Sequence, residues 1–387
     1  MKSSLSIAMV GTRGVPARYG GFETAIEEIG VRLADRGHRV RVYCRTGNSE
    51  VKDSYRGMEL VTLPALRQRS LETLSHTALS TVHLAAHRTD VGFIFNAANS
   101  PFLPIFRAAR IPVATHVDGL EWKRGKWGKG GQLYYRGAET ASVWMSDALI
   151  ADAQGIADYY TNEYNVPTEL IAYGAPILED AGHSKLAEMD LAPDSFHLVV
   201  ARFEPENHVD LIVEGYVRSN AKLPLVVVGS APYANEYIAK INAIAGNDPR
   251  VRLVGGVWDQ ELLDQLYANA LTYQHGHSVG GTNPSLLRAI GAGAATSAFD
   301  VSFNREVVGE AGTYFSTSAD VARLIEEAES NVSGQRTRGA QLRERARAYD
   351  WDLVADGYED LAFRLHAGTT PGTHFGRRRR NVKESGK

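Results

Sequence analysis

The chain of 387 residues is longer than one compact core ordinarily sustains and suits two domains of roughly 170 to 190 residues each. Hydrophobic residues make up 44% and charged residues 22%, which excludes a disordered or fibrous chain; no run reaches the roughly 18 apolar residues of a membrane span, and a lone cysteine, Cys44, excludes an internal disulfide. Of the net charge of −3, residues 371–387 carry +5, six cations against Glu384, so the rest of the chain carries −8, an acidic body that argues against nucleic-acid binding.

The first predicted element is a strand in the apolar run Leu5 to Val10, which leads into Gly11-Thr12-Arg13 rather than a signal-peptide cleavage site. With no Cys/His spacing of a structural zinc site either, the sequence reads as a cytoplasmic protein. A glycine-rich loop follows, then Phe22, Ile26, Ile29 and Leu33 at helical spacing up to Gly37. Val40, Val42 and Cys44 alternate with Arg39, Arg41 and Tyr43 as a strand with one buried face. Further strands are expected at Val91 to Phe95, Val113 to His116, Ala148 to Ala151 and Leu170 to Ala172, with helices at Leu71 to His87 and Leu133 to Met145. Pro176, Gly182 and Pro193 bracket a stretch without sustained period, read as a linker at 177–195. The alternation restarts with strands at Leu198 to Ala201, Leu225 to Val228 and Val251 to Val254, and helices near Val209 to Val217, Tyr233 to Ile244 and Glu261 to Ala268. Trp351, Leu353, Val354, Tyr358, Leu361 and Leu365 form a terminal amphipathic helix. Strands alternating with helices give an α/β chain of two Rossmann-like, doubly wound domains. The expected division is 1–176, a linker at 177–195, 196–347, a terminal helix at 348–367 packing back on the first domain, and a basic tail at 368–387. Ligands of such folds bind at the carboxyl ends of the strands, so the loops there carry the chemistry.

Four loops stand out. The first, Gly11 to Gly21, lacks the G-x-G-x-x-G spacing of a dinucleotide site, which disfavours an oxidoreductase. Gly20 and Gly21 precede a helix start, where bare amides meet an anionic or hydroxyl-rich ligand, and Arg13 and Arg18 share the loop; the alternative is a tight turn. The second crowds His116, Asp118, Glu121, Trp122, Lys123 and Arg124 into a few positions. His116 and Asp118 suit a polar pair beside a reacting sugar, and the cations with Trp122 suit a phosphate-bearing acceptor, against the alternative of a solvated basic loop over packed tryptophans and a core histidine. The third places Arg202 after a strand, where its fork suits a diphosphate unless it pairs with Glu204 or Glu206. The fourth runs through Gly280, Gly281, Thr282, Asn283, Pro284 and Ser285: Asn283 is an N-cap and Pro284 a first helical residue, so the amides before it form an anion cradle, though any capped helix shares this pattern.

Taken together, Gly-Thr-Arg-Gly-Val-Pro at 11–16, Tyr-Gly-Gly-Phe-Glu-Thr at 19–24, Asp-Gly-Leu-Glu-Trp-Lys-Arg at 118–124, Arg-Phe-Glu-Pro-Glu-Asn at 202–207 and Gly-His-Ser-Val-Gly-Gly-Thr-Asn-Pro-Ser-Leu-Leu at 276–287 resemble the bacterial GT-B glycosyltransferases of family 4. The branch most similar contains rhamnosyltransferases of surface polysaccharide assembly. The resemblance spans about residues 5 to 365. It implies two Rossmann-like domains facing across a cleft and a nucleotide-diphosphate-sugar donor, first dTDP-L-rhamnose, bound mainly by the C-terminal domain. It further implies a glycan or lipid-linked acceptor bound mainly by the N-terminal domain, retention at the anomeric carbon, no cofactor and no obligatory metal. From these motifs and the loop readings together, His116, Asp118 and Arg202 are the expected catalytic group. Gly20, Gly21, Arg202, Asn207, Gly280, Gly281, Thr282, Asn283, Ser285 and Arg288 are expected at the donor, and Arg13, Arg18, Glu121, Trp122, Lys123 and Arg124 at the acceptor. Asn207 stands where the wider family has a lysine, and Arg288 where relatives have a glutamate that accepts donor hydroxyls. That second departure keeps open a catalytically silent GT-B binding partner, and more weakly a GT-B epimerase. Arg377 to Arg380, beyond a Gly/Thr/Pro-rich stretch, suit peripheral contact with an anionic membrane or an ordinary solvated terminus.

Overall fold

The computed structural model describes residues 4–17, 21–47, 53–66, 68, 71–117, 119–124, 127–229 and 235–370, the side chain of Asn235 excepted. The expectations for Arg18, Gly20, Asp118 and the tail from 371 onward lie outside the described residues. The chain divides into two units, one of residues 1–123, 127–173 and 351–387, the other of 124–126 and 174–350.

In the first unit the strands are β1 (Ser6–Val10), β2 (Arg39–Arg45), β3 (Ser54–Tyr55), β4 (Met58–Leu63), β5 (Val91–Phe95), β6 (Val113–His116), β7 (Ala148–Ala151) and β8 (Glu169–Leu170). They lie in the order β3-β4-β2-β1-β5-β6-β7-β8, parallel except for the β3–β4 hairpin. Its helices are α1 (Gly21–Asp35), α2 (Glu72–Ala86), α3 (Leu103–Ala108), α4 (Lys129–Met145) and α5 (Gln154–Tyr164). Side chains alternate across a strand, so Ala8, Val10, Ile94 and Val113 pack with Leu84 of α2 and Leu103 and Phe106 of α3. The opposite parity turns Phe93 and Phe95 toward Tyr358, with ring centroids 5.0 and 6.3 Å away. Against the expectation at Leu170 to Ala172, β8 is a two-residue edge strand, and α4 begins at Lys129, a turn before Leu133.

The second unit holds β9 (His197–Val200), β10 (Leu225–Val228), β11 (Val251–Gly255), β12 (Thr272–His275), β13 (Thr296–Phe299) and β14 (Thr313–Phe315), parallel throughout in the order β11-β10-β9-β12-β13-β14. The helices are α6 (Val209–Arg218), α7 (Asn235–Ala245), α8 (Gln260–Asn269), α9 (Pro284–Ala292), α10 (Ser302–Val308), α11 (Ser318–Ser330) and α12 (Val332–Ala346). Val199, Leu225 and Val227 share a core with Ile212 and Tyr216 of α6 and Val321 and Ile325 of α11. Residues 177–195 carry a 3-10 turn, Ser184–Met189, tied to α8 by the Lys185 amide donating to Gln265 Oε1 at 2.8 Å.

The terminal helix α13 (Trp351–Ala367) belongs to the first unit. Val354, Tyr358, Leu361 and Leu365 are buried, each contributing about 1.5–3 kcal/mol. A polar staple fixes it to the turn between α1 and β2: the Leu5 amide donates to His38 Nδ1, which leaves the Nε2 hydrogen to donate to Glu359 Oε1 at 3.1 Å. Arg364 adds a bidentate pair with Glu169, both contacts at 2.8 Å.

Candidate functional site

In each sheet the strand order reverses beside the strand that begins it, at β1 and β5 in the first unit and at β9 and β12 in the second. The loops leaving those strands therefore diverge to opposite faces and open a crevice at their carboxyl ends.

In the first unit the loop after β1 is held by acids of α1. Glu23 Oε1 accepts the Arg13 amide at 3.1 Å, and Glu27 Oε2 accepts that of Ala17 at 2.6 Å. The helix start at Gly21 thus presents a carboxylate in its first turn, a setting for hydroxyls more than for a second anion. Gly11, at φ 100°, is required by close approach: a Cβ there would stand 2.4 Å from the Phe95 carbonyl oxygen.

His116 ends β6 on the face opposite Val113. It is buried, and Phe22, Phe95 and Tyr173 meet its ring edge-on at 5.2, 5.7 and 5.5 Å. Burial pushes its pKa down to about 3, so the imidazole is neutral, and Nδ1 has no hydrogen-bond partner among the described residues. Beyond it, Glu121, Trp122 and Lys123 form one 3-10 turn. Trp127 Nε1 donates to Glu121 Oε2 at 3.5 Å, and Arg136 stacks on the Trp122 ring at 4.2 Å, with Lys123 Nζ 5.3 Å from the ring. Arg124, expected with these, instead belongs to the second unit, where its buried guanidinium lies 3.7 Å from Glu206 Oε1 and 4.0 Å from Glu204 Oε2.

In the second unit, Arg202 follows β9 and keeps 42% of its side chain exposed, with Glu204 Oε2 3.7 Å away. That pair is long and solvated, so it leaves the guanidinium available to a ligand. Asn207 is engaged at both ends of its amide, donating to the Arg202 carbonyl at 2.7 Å and accepting from His277 Nδ1 at 2.8 Å. The Glu206 carbonyl accepts both the amide and the hydroxyl of Ser278, at 2.9 and 3.1 Å. These bonds sew the loop after β9 to the loop after β12, and Gly276 permits it, because a Cβ there would stand 2.0 Å from the Asn207 carbonyl oxygen. Gly280, Gly281 and Thr282 follow, buried, and Asn283 caps α9 by accepting the Ser285 amide at 2.9 Å. Arg202 and the α9 N-terminus, more than 70 residues apart in sequence, are thus anchored side by side.

Two histidines behind this cradle are uncharged. Burial pushes His275 down to about 3, and burial, then Arg124, His275, Arg202 and His208, hold His277 well below its usual value. Arg288 is ion-paired with Asp264 of α8, both half-buried. Asp264 carries no sequence signal, and Glu206 enters the sequence reading only as a possible partner of Arg202; the contacts of both depend on sheet order. Among the described residues no group of three or more His, Cys, Asp and Glu stands where a metal ion would be held.

Residues 5–176 match the model described as Domain of unknown function (DUF1972), and residues 192–349 match Glycosyl transferases group 1. No curated protein sequence matches the chain. Among solved structures the chain is similar to sucrose-phosphate synthase from Thermosynechococcus elongatus, at 19% identity and TM-score 0.80 over 94% of this chain and 99% of that one. It is also similar to HepE from Anabaena in complex with UDP, at 15% identity and TM-score 0.72 over 92% and 98%. The same protein in complex with UDP-glucose gives 15% and 0.74 over 92% and 99%. The chain is a glycosyltransferase of the GT-B fold.

Proposed function

We propose that this glycosyltransferase moves a sugar from a nucleoside-diphosphate donor, held by the second unit, to a lipid-linked or oligosaccharide acceptor recognised by the first, with retention at the anomeric carbon. The observation that carries the reading is the stitched pair of loops: Arg202 beside the capped N-terminus of α9. When the bond from the anomeric carbon to the diphosphate breaks, negative charge grows on the departing oxygens. A guanidinium and a helix N-terminus fixed in advance stabilise that charge without reorganising. In the first unit, the neutral His116 and the acid-lined start of α1 suit sugar hydroxyls, with Trp122, Lys123 and Arg13 on the acceptor side. The basic tail from 371 onward would add reversible attraction to an anionic leaflet, about 1 kcal/mol per residue near the surface.

The donor remains first dTDP-L-rhamnose, and HepE in complex with UDP-glucose adds that donor to the panel. Calorimetric titration of the full chain with UDP, dTDP and GDP and their sugars, followed by release of nucleoside diphosphate in the presence of acceptors, tests the reading. Binding and acceptor-dependent release support it, and no binding of any of them overturns it. Binding without release on any acceptor would favour the silent partner protein, and conversion of the nucleotide sugar without acceptor an epimerase.

A further inference from the structure

Glu206 stands out among the buried acids of the second unit. Its side chain is 4% exposed, yet neither carboxylate oxygen accepts a hydrogen bond among the described residues. Arg124 balances its charge from 3.7 Å, too far to fill its lone pairs, and Oε2 of neighbouring Glu204 is likewise buried without a hydrogen bond. A carboxylate has about four acceptor sites, and buried polar groups in native proteins are nearly always satisfied. The main chain of Glu206 is meanwhile firmly held, its carbonyl accepting twice from Ser278 in the loop that leads to the α9 cradle. A rigidly mounted carboxylate with unfilled acceptor sites therefore stands in the loop that also carries Arg202.

The local charge says what kind of group it serves. Glu204 and Glu206 balance Arg124 and Arg202, so this end of the cradle suits a neutral group rich in hydroxyl donors rather than a second phosphate. We infer that Glu206 is a sugar-binding residue, accepting hydrogen bonds from hydroxyls of the transferred sugar while Arg202 and the α9 N-terminus hold the diphosphate. This rests on the donor reading above, and it relieves Arg288, which has no acceptor atom, of that task.

The test compares, by calorimetry on the full chain, affinity for a nucleoside diphosphate and for its sugar, UDP with UDP-glucose and dTDP with dTDP-rhamnose. In Glu206→Gln the nucleotide sugar should bind roughly tenfold to a hundredfold more weakly while the nucleoside diphosphate changes less than about threefold, as expected for loss of charge-assisted hydrogen bonds. Because Glu206→Gln leaves Arg124 buried without its partner, the double variant Glu206→Gln/Arg124→Gln removes both charges and should show the same selective loss. If the two affinities fall together, or neither moves, in a folded variant, Glu206 is only the counter-ion of Arg124 and the assignment is overturned. A wild-type chain that binds neither ligand overturns the donor reading and this assignment with it; one that binds both, with variants unchanged, overturns this assignment alone.

Discussion

Arg202 and Arg288 are both cations of the second unit, and their surroundings give them different work. Arg202, long-paired and 42% exposed, keeps its fork for a ligand, so Arg202→Ala should weaken nucleoside-diphosphate binding by about 1.5–3 kcal/mol, roughly tenfold to a hundredfold. Calorimetry on the folded variant checks this, and unchanged affinity would remove Arg202 from the diphosphate. Arg288 is committed to Asp264. Placing at 288 the glutamate that the family resemblance implies would set two half-buried carboxylates against each other. Arg288→Glu alone should therefore cost roughly 1–3 kcal/mol of stability and raise no turnover, while Arg288→Glu/Asp264→Arg, which exchanges the charges, should recover the stability. Urea unfolding beside turnover decides the matter. A rise in turnover from the single variant would show that the carboxylate is missed at this position. The arginine itself was legible in the sequence as a departure from a motif. Its partner was not, because Asp264 sits on a helix without a motif and meets Arg288 only through the packing of α8 on α9.

At the level of elements, the sequence is most readable where a rule acts over a few neighbouring residues. Parallel strands buried on both faces appear as short apolar runs, and β1, β5, β7 and β10 stand where those runs are. The Asn283-Pro284 cap is equally local, and α9 starts there. The β3–β4 hairpin is harder to see: Met58–Leu63 follows a polar stretch and turns at Gly57, so its pattern is short and mixed. The stitching of the loops after β9 and β12 is invisible in sequence, since it needs strands more than 70 residues apart to lie side by side. Gly276 is its mechanical key. Gly276→Ala would drive a methyl group into the Asn207 carbonyl, backbone against backbone, so neither side can yield as a flexible side chain would. The expected result is a loss of about 1–3 kcal/mol in stability of the second unit and at least tenfold weaker nucleoside-diphosphate binding, because the His277–Asn207 bond that seats the cradle is displaced. Thermal unfolding together with calorimetry measures both, and a variant with native stability and affinity would show that the loops tolerate separation.

Across the whole molecule, alternation of strand and helix made two doubly wound units legible, while the environment of the buried histidines was not. His116 reads in sequence as part of a polar loop, yet Phe22, Phe95 and Tyr173, distant in the chain, enclose it. Four such histidines give the protein a pH dependence whose sign is fixed. Burial holds His76 at about 4 and His116 and His275 at about 3, and His277 lies well below its usual value. In the unfolded chain each takes up a proton near pH 6.5, so below that pH the unfolded state binds protons that the native state refuses. The stability is complete above about pH 6.5 and is lost as the pH falls from there toward the folded values. At pH 5 His76, His116 and His275 each lower stability by about 2 kcal/mol relative to pH 7, and His277 acts in the same direction. His76 and His116 lie in the first unit, which should lose about 4 kcal/mol over that range, a large part of the 5–15 kcal/mol typical of a domain; His275 and His277 lie in the second, whose stability falls in the same direction. Urea unfolding at pH 7, 6 and 5 should show the midpoint falling with each step. His275→Gln should lessen the fall in the second unit by about 2 kcal/mol at pH 5, since glutamine takes up no proton in either state. Equal midpoints at pH 7 and 5 would mean that these rings take up protons in the folded protein as readily as in the unfolded chain, and the lowering of His116 by burial would be overturned.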